Sequence, residues 1–207
     1  MLGGLGLQVA AAVRAHLVVF AFVEPSGTTV PIPAEKSKCK IDCKLAAGRG
    51  PIQEGVYEDW EQMIDTNVKG LLYMTREVSP LMIARKKGHI INVASLAGWE
   101  AYGGGNVYCG TKHAVRAITR SARIDLLPHN IKVSVISPGA AETEFSLVRF
   151  KGDATKAKQT YAGFTPLTAQ DIADTIFYCA NLPEHVCIND LTITCTAQAD
   201  AIYFHKS

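Results

Sequence analysis

The sequence predicts an α/β fold in which helices cover both faces of a doubly wound parallel sheet. Three observations lead there. Two short apolar runs, residues 89–94 and 132–136, read as strands buried on both sides. Segments with helical apolar spacing precede, separate and follow them. Strand, helix, strand, helix, strand at these lengths calls for parallel pairing with right-handed crossovers.

Each element has its own signal. Residues 57–78 read as a helix, with Trp60, Met63, Ile64, Val68, Leu71 and Leu72 recurring at helical spacing. Pro80 is expected to kink or end it. Lys86 and Lys87 follow near a C-terminus, with Gly88 as a stop. The strand over 89–94 delivers Ser95 just past its carboxyl end, where open α/β sheets hold ligands. Gly103-Gly104-Gly105 is a flexible connection into a helix over 107–127, which Pro128 stops. Its stripe of Val115, Ile118, Ala122 and Leu126 faces either the sheet or a partner subunit. The strand over 132–136 ends at Ser137-Pro138-Gly139. Thr168 reads as an N-cap with Asp171 in a capping-box position, opening a helix over 169–181. Residues 191–195 form a last strand. Residues 144–165 fit no clean element and read as either a substrate lid or a surface excursion.

With 207 residues and 48% hydrophobic content, the chain is long enough for one domain with a substantial core. Its net charge of +2 argues against a nucleic-acid or polybasic membrane binder. The six cysteines form no Cys-x-x-Cys pair, and no histidine flanks them at zinc spacing. Reduced thiols in a cytoplasmic protein without a metal are therefore expected. Residues 5–23 are apolar, but Gln8, Arg14 and His16 interrupt them. No basic residues precede them and no cleavage site follows, so neither a targeting segment nor a membrane span is expected.

The chemistry concentrates at Ser95, Tyr108 and Lys112. Tyr108 and Lys112 are four residues apart, so on a helix they share a face. A free phenol, with a pKa near ~10, is a poor base at neutral pH. An ammonium held close by favours the phenolate and is expected to pull that value down. A phenol tuned in this way exchanges a proton with a substrate oxygen. The Ser95 hydroxyl, donor and acceptor both, is suited to hold the same oxygen.

Four features in order extend this pattern. Tyr108 follows Ser95 by 13 residues and opens Tyr108-Cys109-Gly110-Thr111-Lys112. Asn67 lies in Asp65-Thr66-Asn67-Val68-Lys69-Gly70, and Pro138-Gly139 is followed by Thr143. On these residues the chain resembles the short-chain dehydrogenase/reductases. Glu142-Thr143-Glu144-Phe145-Ser146-Leu147-Val148-Arg149-Phe150, with Pro166-Leu167-Thr168-Ala169, His185-Val186, Ile188-Asn189 and Thr196-Ala197-Gln198-Ala199, narrows the resemblance to one subgroup. That subgroup is the bacterial NADP-dependent 3-hydroxy acid (serine and allo-threonine) dehydrogenases. The resemblance runs from about Pro51 to about Ala201.

The resemblance implies a Rossmann-like fold and an oxidoreductase that passes a hydride between NADP(H), with NAD as the other option, and the hydroxyl-bearing carbon of a small 3-hydroxy acid. Its implied catalytic residues are Asn67, Ser95, Tyr108 and Lys112. Tyr108, Lys112, Pro138, Gly139 and Thr143 would contact cofactor, although Thr143 also fits a simple turn cap. Ser95 would hold the substrate oxygen, and Arg149 is a candidate bidentate anchor for a substrate carboxylate. Family members are usually homotetramers or homodimers, so a homo-oligomer is expected.

Residues 1–50 match less well than residues 51–207, within what is read as one domain. Gly4 and Gly6, in Met1-Leu2-Gly3-Gly4-Leu5-Gly6, fit the tail of a phosphate-binding glycine motif or, alternatively, a flexible N-terminus. Residues 8–15 and 17–22 read as a first helix and second strand. Residues 24–44, with Pro25, Pro31 and Pro33, are too short for the elements that should follow. Ala47 and Gly48 match the family's Asn-Asn-Ala-Gly, whereas Leu45 and Ala46 replace its asparagines. The N-terminal, cofactor-binding portion is thus expected to be incomplete. The alternative reading is a non-catalytic relative that keeps the catalytic-half fold and binds no dinucleotide.

Overall fold

The computed structural model describes residue 46 and residues 48–207. Gly4, Gly6 and the elements expected over 8–15 and 17–22 lie outside the described residues.

Among the described residues, three strands form one parallel sheet in the order β1-β2-β3: β1 (Gly88–Val93), β2 (Ile131–Pro138) and β3 (Asp190–Ile193). The register pairs Val93 with Ile136 and Ser137 with Thr192, so the carboxyl ends of β1 and β2 lie side by side. The preceding helical segment comprises α1 (Tyr57–Ile64), a π-helical turn (Asp65–Lys69) and α2 (Gly70–Arg85). α3 (Asn106–Leu126) links β1 to β2. α4 (Glu144–Arg149), α5 (Ala154–Gln159) and α6 (Ala169–Ala180) lead to β3.

Alternation along the strands sorts the core onto two faces. Ile91, Val93 and Ile136 pack against Ile172, Ile176 and Cys179 of α6. Ile90, Val133 and Val135 point the other way, toward Val78, Met82 and Leu71 of α2 and Val115 and Leu126 of α3. The sheet is therefore covered on both faces, as a doubly wound fold requires. Leu71, Ile90, Ile91, Val133 and Val135 are fully enclosed, each worth about 1.5–3 kcal/mol of burial. The capping box at α6 forms as expected: the Asp171 amide donates to Thr168 Oγ1 (3.3 Å), and the Thr168 amide donates to Asp171 Oδ2 (2.7 Å).

Two expectations need correction. Pro80 does not end the helix, which runs on to Arg85. The only bond a proline must lose is the one to the carbonyl four residues earlier, here that of solvent-exposed Arg76, where water can replace it. Burial of Met82 beyond it holds the last turn in place. The stop falls at Lys86, which adopts left-handed geometry (φ 53°), while Gly88 already begins β1. Residues 144–165, in turn, contain two short helices. Thr143 caps α4 by accepting from the Phe145 amide, and Asp153 caps α5 by accepting from the Lys156 amide. A six-residue helix is too brief to show a periodic stripe, so its caps were its legible signal.

One buried polar pair sits inside the sheet. His89 Nε2 is 2.7 Å from Ser134 Oγ, and that hydroxyl donates to the Ile188 carbonyl, so Nε2 carries the ring proton. Burial, with the nearby Lys132 charge second, pushes the His89 imidazolium down to about 4. Among the described residues no helix is long and apolar enough to cross a membrane. Cys109, Cys179, Cys187 and Cys195 are free thiols.

Candidate active site

The site forms at the carboxyl edge of the sheet. β1 ends at Val93, and Ser95 caps the short 3-10 turn Leu96–Gly98, its Oγ accepting from the Ala97 amide at 3.2 Å. Its own proton has a distant acceptor in the Pro138 carbonyl, at 3.4 Å, too long to be strong. Tyr108, in the first turn of α3, lines the same cavity as Ser95, which acts to favour its phenolate.

Tyr108 and Lys112 lie on the buried face of α3. The Tyr108 ring is clamped by Phe145 of α4, ring centroids 5.5 Å apart. Lys112 is 2% exposed, and its Nζ donates to the Val93 carbonyl at 3.2 Å. Asn67 lies in the π-helical turn, a local distortion common at functional sites. It is buried, and its Nδ2 donates to Thr111 Oγ1 at 3.0 Å, one residue before Lys112. The structure therefore brings Asn67, Ser95, Tyr108 and Lys112 together from three separate segments.

The electrostatics differ from the expectation in an instructive way. Burial dominates Tyr108 and raises its pKa well above the ordinary phenol value, with the neighbouring Tyr102 reinforcing the rise. Opposing contributions come from the Ser95 hydrogen bond and from the charge of Arg149. Lys112 was expected to supply that charge. Its Nζ lies 5.8 Å from the Tyr108 ring centroid and also donates to the Val93 carbonyl, and burial pushes the ammonium down to about 8. Arg149 adds a second cation, its guanidinium carbon 5.6 Å from the same centroid, and its charge favours the phenolate.

These groups open on a cavity of about 380 Å³ whose wall includes Ser95, Tyr108, Pro138, Gly139, Arg149 and Gln198. Pro138 closes β2, and the Gly139 amide donates to the Ile193 carbonyl at 2.8 Å. A Cβ on Gly139 would meet Gln198 Oε1 at 2.1 Å, the same atom that accepts from the Ala140 amide at 2.7 Å. Glycine is thus required for the glutamine to bind the turn. Thr143 does not line this cavity; its hydroxyl caps α4. Arg149 lies in the last turn of α4 and donates from Nη2 to the Tyr102 hydroxyl at 3.1 Å, while its Nε is enclosed without a partner.

Sequence reasoning missed Arg49, Tyr102 and Gln198, all on the cavity wall. Gln198 was visible within the Thr196–Ala199 match but carried no role. Tyr102 adjoins a glycine run that reads as a mere connection. Arg49 sits where the match thins, and nothing local distinguishes it from a surface arginine.

The chemistry of the residues present suits a nicotinamide ribose beside the phenol. The buried Lys112 ammonium has three donors, and one protein acceptor, Val93, engages it.

Comparison with known proteins agrees with this arrangement. The sequence profile of the family described as short chain dehydrogenase matches residues 44–153. The NADP-dependent 3-hydroxy acid dehydrogenase YdfG of Salmonella typhi is 48% identical over 165 residues, 79% of this chain and 66% of that protein. The serine 3-dehydrogenase of Agrobacterium fabrum is 42% identical over 149 residues, 72% of this chain and 59% of the relative. A solved serine dehydrogenase in its closed form, complexed with NADP+, superimposes with a TM-score of 0.74 at 46% identity, over 78% of this chain and 66% of that one. The chain thus spans about two thirds or less of the length of these relatives. With the profile covering more than half of its length, and with its sheet, helices and Ser-Tyr-Lys geometry in place, the chain belongs to the short-chain dehydrogenase family.

Proposed function

We propose that this protein is an NADP-dependent oxidoreductase that transfers a hydride to or from the hydroxyl-bearing carbon of a small 3-hydroxy acid. The observation that carries the reading is the placement of Ser95 and Tyr108 on the wall of one cavity that also presents the Arg149 guanidinium. A hydroxyl to be oxidised, a proton acceptor and a carboxylate anchor then share one chamber. Relatives named as NADP-dependent 3-hydroxy acid and serine dehydrogenases support the same substrate class and cofactor.

In this reading a bound nicotinamide supplies the hydride acceptor. Ser95 holds the substrate hydroxyl through its Oγ, and Tyr108 takes the hydroxyl proton as the carbinol is oxidised. The substrate reaches Tyr108 only by occupying a site from which water has been excluded, so the phenol's raised pKa demands compensating charge. Arg149 provides part of it and, with its partnerless Nε, keeps a donor for the substrate carboxylate. Lys112 offers its free donors to the nicotinamide ribose. Asn67 braces the α3 backbone behind Lys112 through Thr111 and stands at the head of a water-linked proton path. Pro138 and Gly139 line the nicotinamide side, with Thr143 shaping the start of α4 beside it. A cytoplasmic homo-oligomer fits this reading, since Ile124 and Leu127, on and just after α3, are 72% and 71% exposed.

The test pairs binding with turnover. NADPH titration followed by fluorescence is expected to saturate, and NADP+ reduction is expected with serine or 3-hydroxybutyrate. Tyr108→Phe is expected to lower turnover by a thousandfold or more while sparing NADPH affinity. A folded protein that binds neither NADPH nor NADH would refute the proposal and leave the non-catalytic reading standing.

A further inference from the structure

A second cavity, of about 320 Å³, opens on the far side of Arg149. It shares Arg49, Tyr108, Arg149 and Phe150 with the chamber that holds Ser95, so one molecule can reach from the phenol into it. Its titratable lining is Arg49, Arg149, Lys151 and Lys156 against Glu54 and Asp59. Two of the cations are already matched: Lys151 pairs with Asp59 at 2.8 Å, and Lys156 pairs with Asp153 at 3.4 Å. Among the described residues neither Arg49 nor Arg149 has a carboxylate partner. That leaves two uncompensated guanidinium groups facing exposed Glu54.

Arg149 is partly buried and held by a side chain, whereas Arg49 is solvent-exposed and fixed, among the described residues, only by the packing of its stem. Arg49 lies across Gly104, where a Cβ would meet its Cγ at 3.2 Å, and Gly104 adopts φ +74°. The adjoining Gly50 carbonyl accepts from Asn106 Nδ2 at 2.9 Å, which ties this segment to the start of α3. Arg149 is held by its bond to Tyr102, and the charges of both arginines act on that same phenol. The two guanidinium groups, neither with a carboxylate partner among the described residues, therefore sit on the wall common to both cavities, and Tyr102, on the first cavity alone, accepts from one of them.

We propose that this wall recognises a second carboxylate, so that the substrate class is a short 3-hydroxy dicarboxylic acid. One carboxylate meets Arg149, and the other meets Arg49 in the second cavity. The proposal rests on the hydroxy-acid reading above and refines it. Guanidinium forks match carboxylates in geometry and remain charged at any working pH. A monoacid leaves Arg49 unanswered, which is the basis for discrimination.

The test measures binding separately from turnover. By isothermal titration calorimetry on the full chain, glutarate is expected to bind at least tenfold more tightly than butyrate. In Arg49→Met that ratio is expected to fall to within about twofold, and Arg49→Lys is expected to restore part of it. In parallel, kcat/KM for NADP+ reduction is compared for 3-hydroxyglutarate and 3-hydroxybutyrate, with a tenfold preference for the diacid expected in the native chain. Equal affinities for glutarate and butyrate, or a preference unchanged by Arg49→Met, overturn the diacid assignment even when hydroxy acids are oxidised. An Arg49-dependent glutarate preference with no oxidation of either hydroxy acid sustains the diacid site and overturns the oxidoreductase reading instead.

Discussion

Replacing Lys112 by methionine should make the fold more stable at neutral pH while removing its proposed chemistry. The ammonium sits 2% exposed with one carbonyl acceptor, and burial drives its pKa from 10.5 to about 8. At 1.36 kcal/mol per pKa unit this corresponds to about 3 kcal/mol of penalty for keeping the group charged in the folded state. Methionine preserves the length and apolar stem. It forfeits the charge-assisted bond to Val93, worth about 2 kcal/mol, so Lys112→Met should gain about 1 kcal/mol at pH 7. The sign with pH follows from the depressed folded value. The penalty is complete below about pH 8, fades as pH rises and is absent above 10.5, where the amine is neutral in both states. Urea denaturation of both proteins between pH 7 and pH 10.5 measures the difference. A variant less stable than the native chain at pH 7, or a difference that stays constant across that window, would show that the ammonium is not desolvated as the fold implies. A stability gain coupled to lost turnover would mark Lys112 as a residue retained for chemistry at a cost to the fold.

Three further perturbations probe the scaffold. His89, with its pKa depressed to about 4, should cost the native state up to ~3 kcal/mol as pH falls from 6.5 to 4, because only the unfolded chain takes up the proton there; His89→Gln should flatten that part of the urea-measured pH profile. Gly139→Ala puts a methyl group 2.1 Å from Gln198 Oε1 and should lower stability by roughly 1–3 kcal/mol with the loss of the Ala140 bond. In a Gln198→Ala background the same change should be nearly silent, and a full cost there would refute the assignment. Leu71→Ala, at a fully enclosed position between the sheet, α2 and α3, should lower unfolding free energy by about 2–5 kcal/mol.

Much of the fold was legible because its signals are local. The runs around residues 88–93 and 131–138 are rich in apolar residues and almost wholly buried, as strands covered on both faces are. The capping box at Thr168 and Asp171 located α6 to the residue. Where the signal depends on solvent exposure of a neighbouring turn, as at Pro80, or on a helix shorter than one periodic stripe, as at α4 and α5, sequence reading misplaced the boundary.

The same division governs the site. Helical pitch alone put Tyr108 and Lys112 on one face, and a strand end placed Ser95 at the ligand edge of the sheet, while joining the three into one site came from the resemblance to the family. Which charge acts on the phenol was settled only in three dimensions. Lys112, engaged by the Val93 carbonyl, holds its Nζ 5.8 Å from the ring centroid, and Arg149, 41 residues beyond Tyr108 in the chain, adds a second cation at 5.6 Å. Pairing across such separations follows from how the sheet and helices pack, and desolvation depends on everything that surrounds a group, so neither is written in any local stretch of residues.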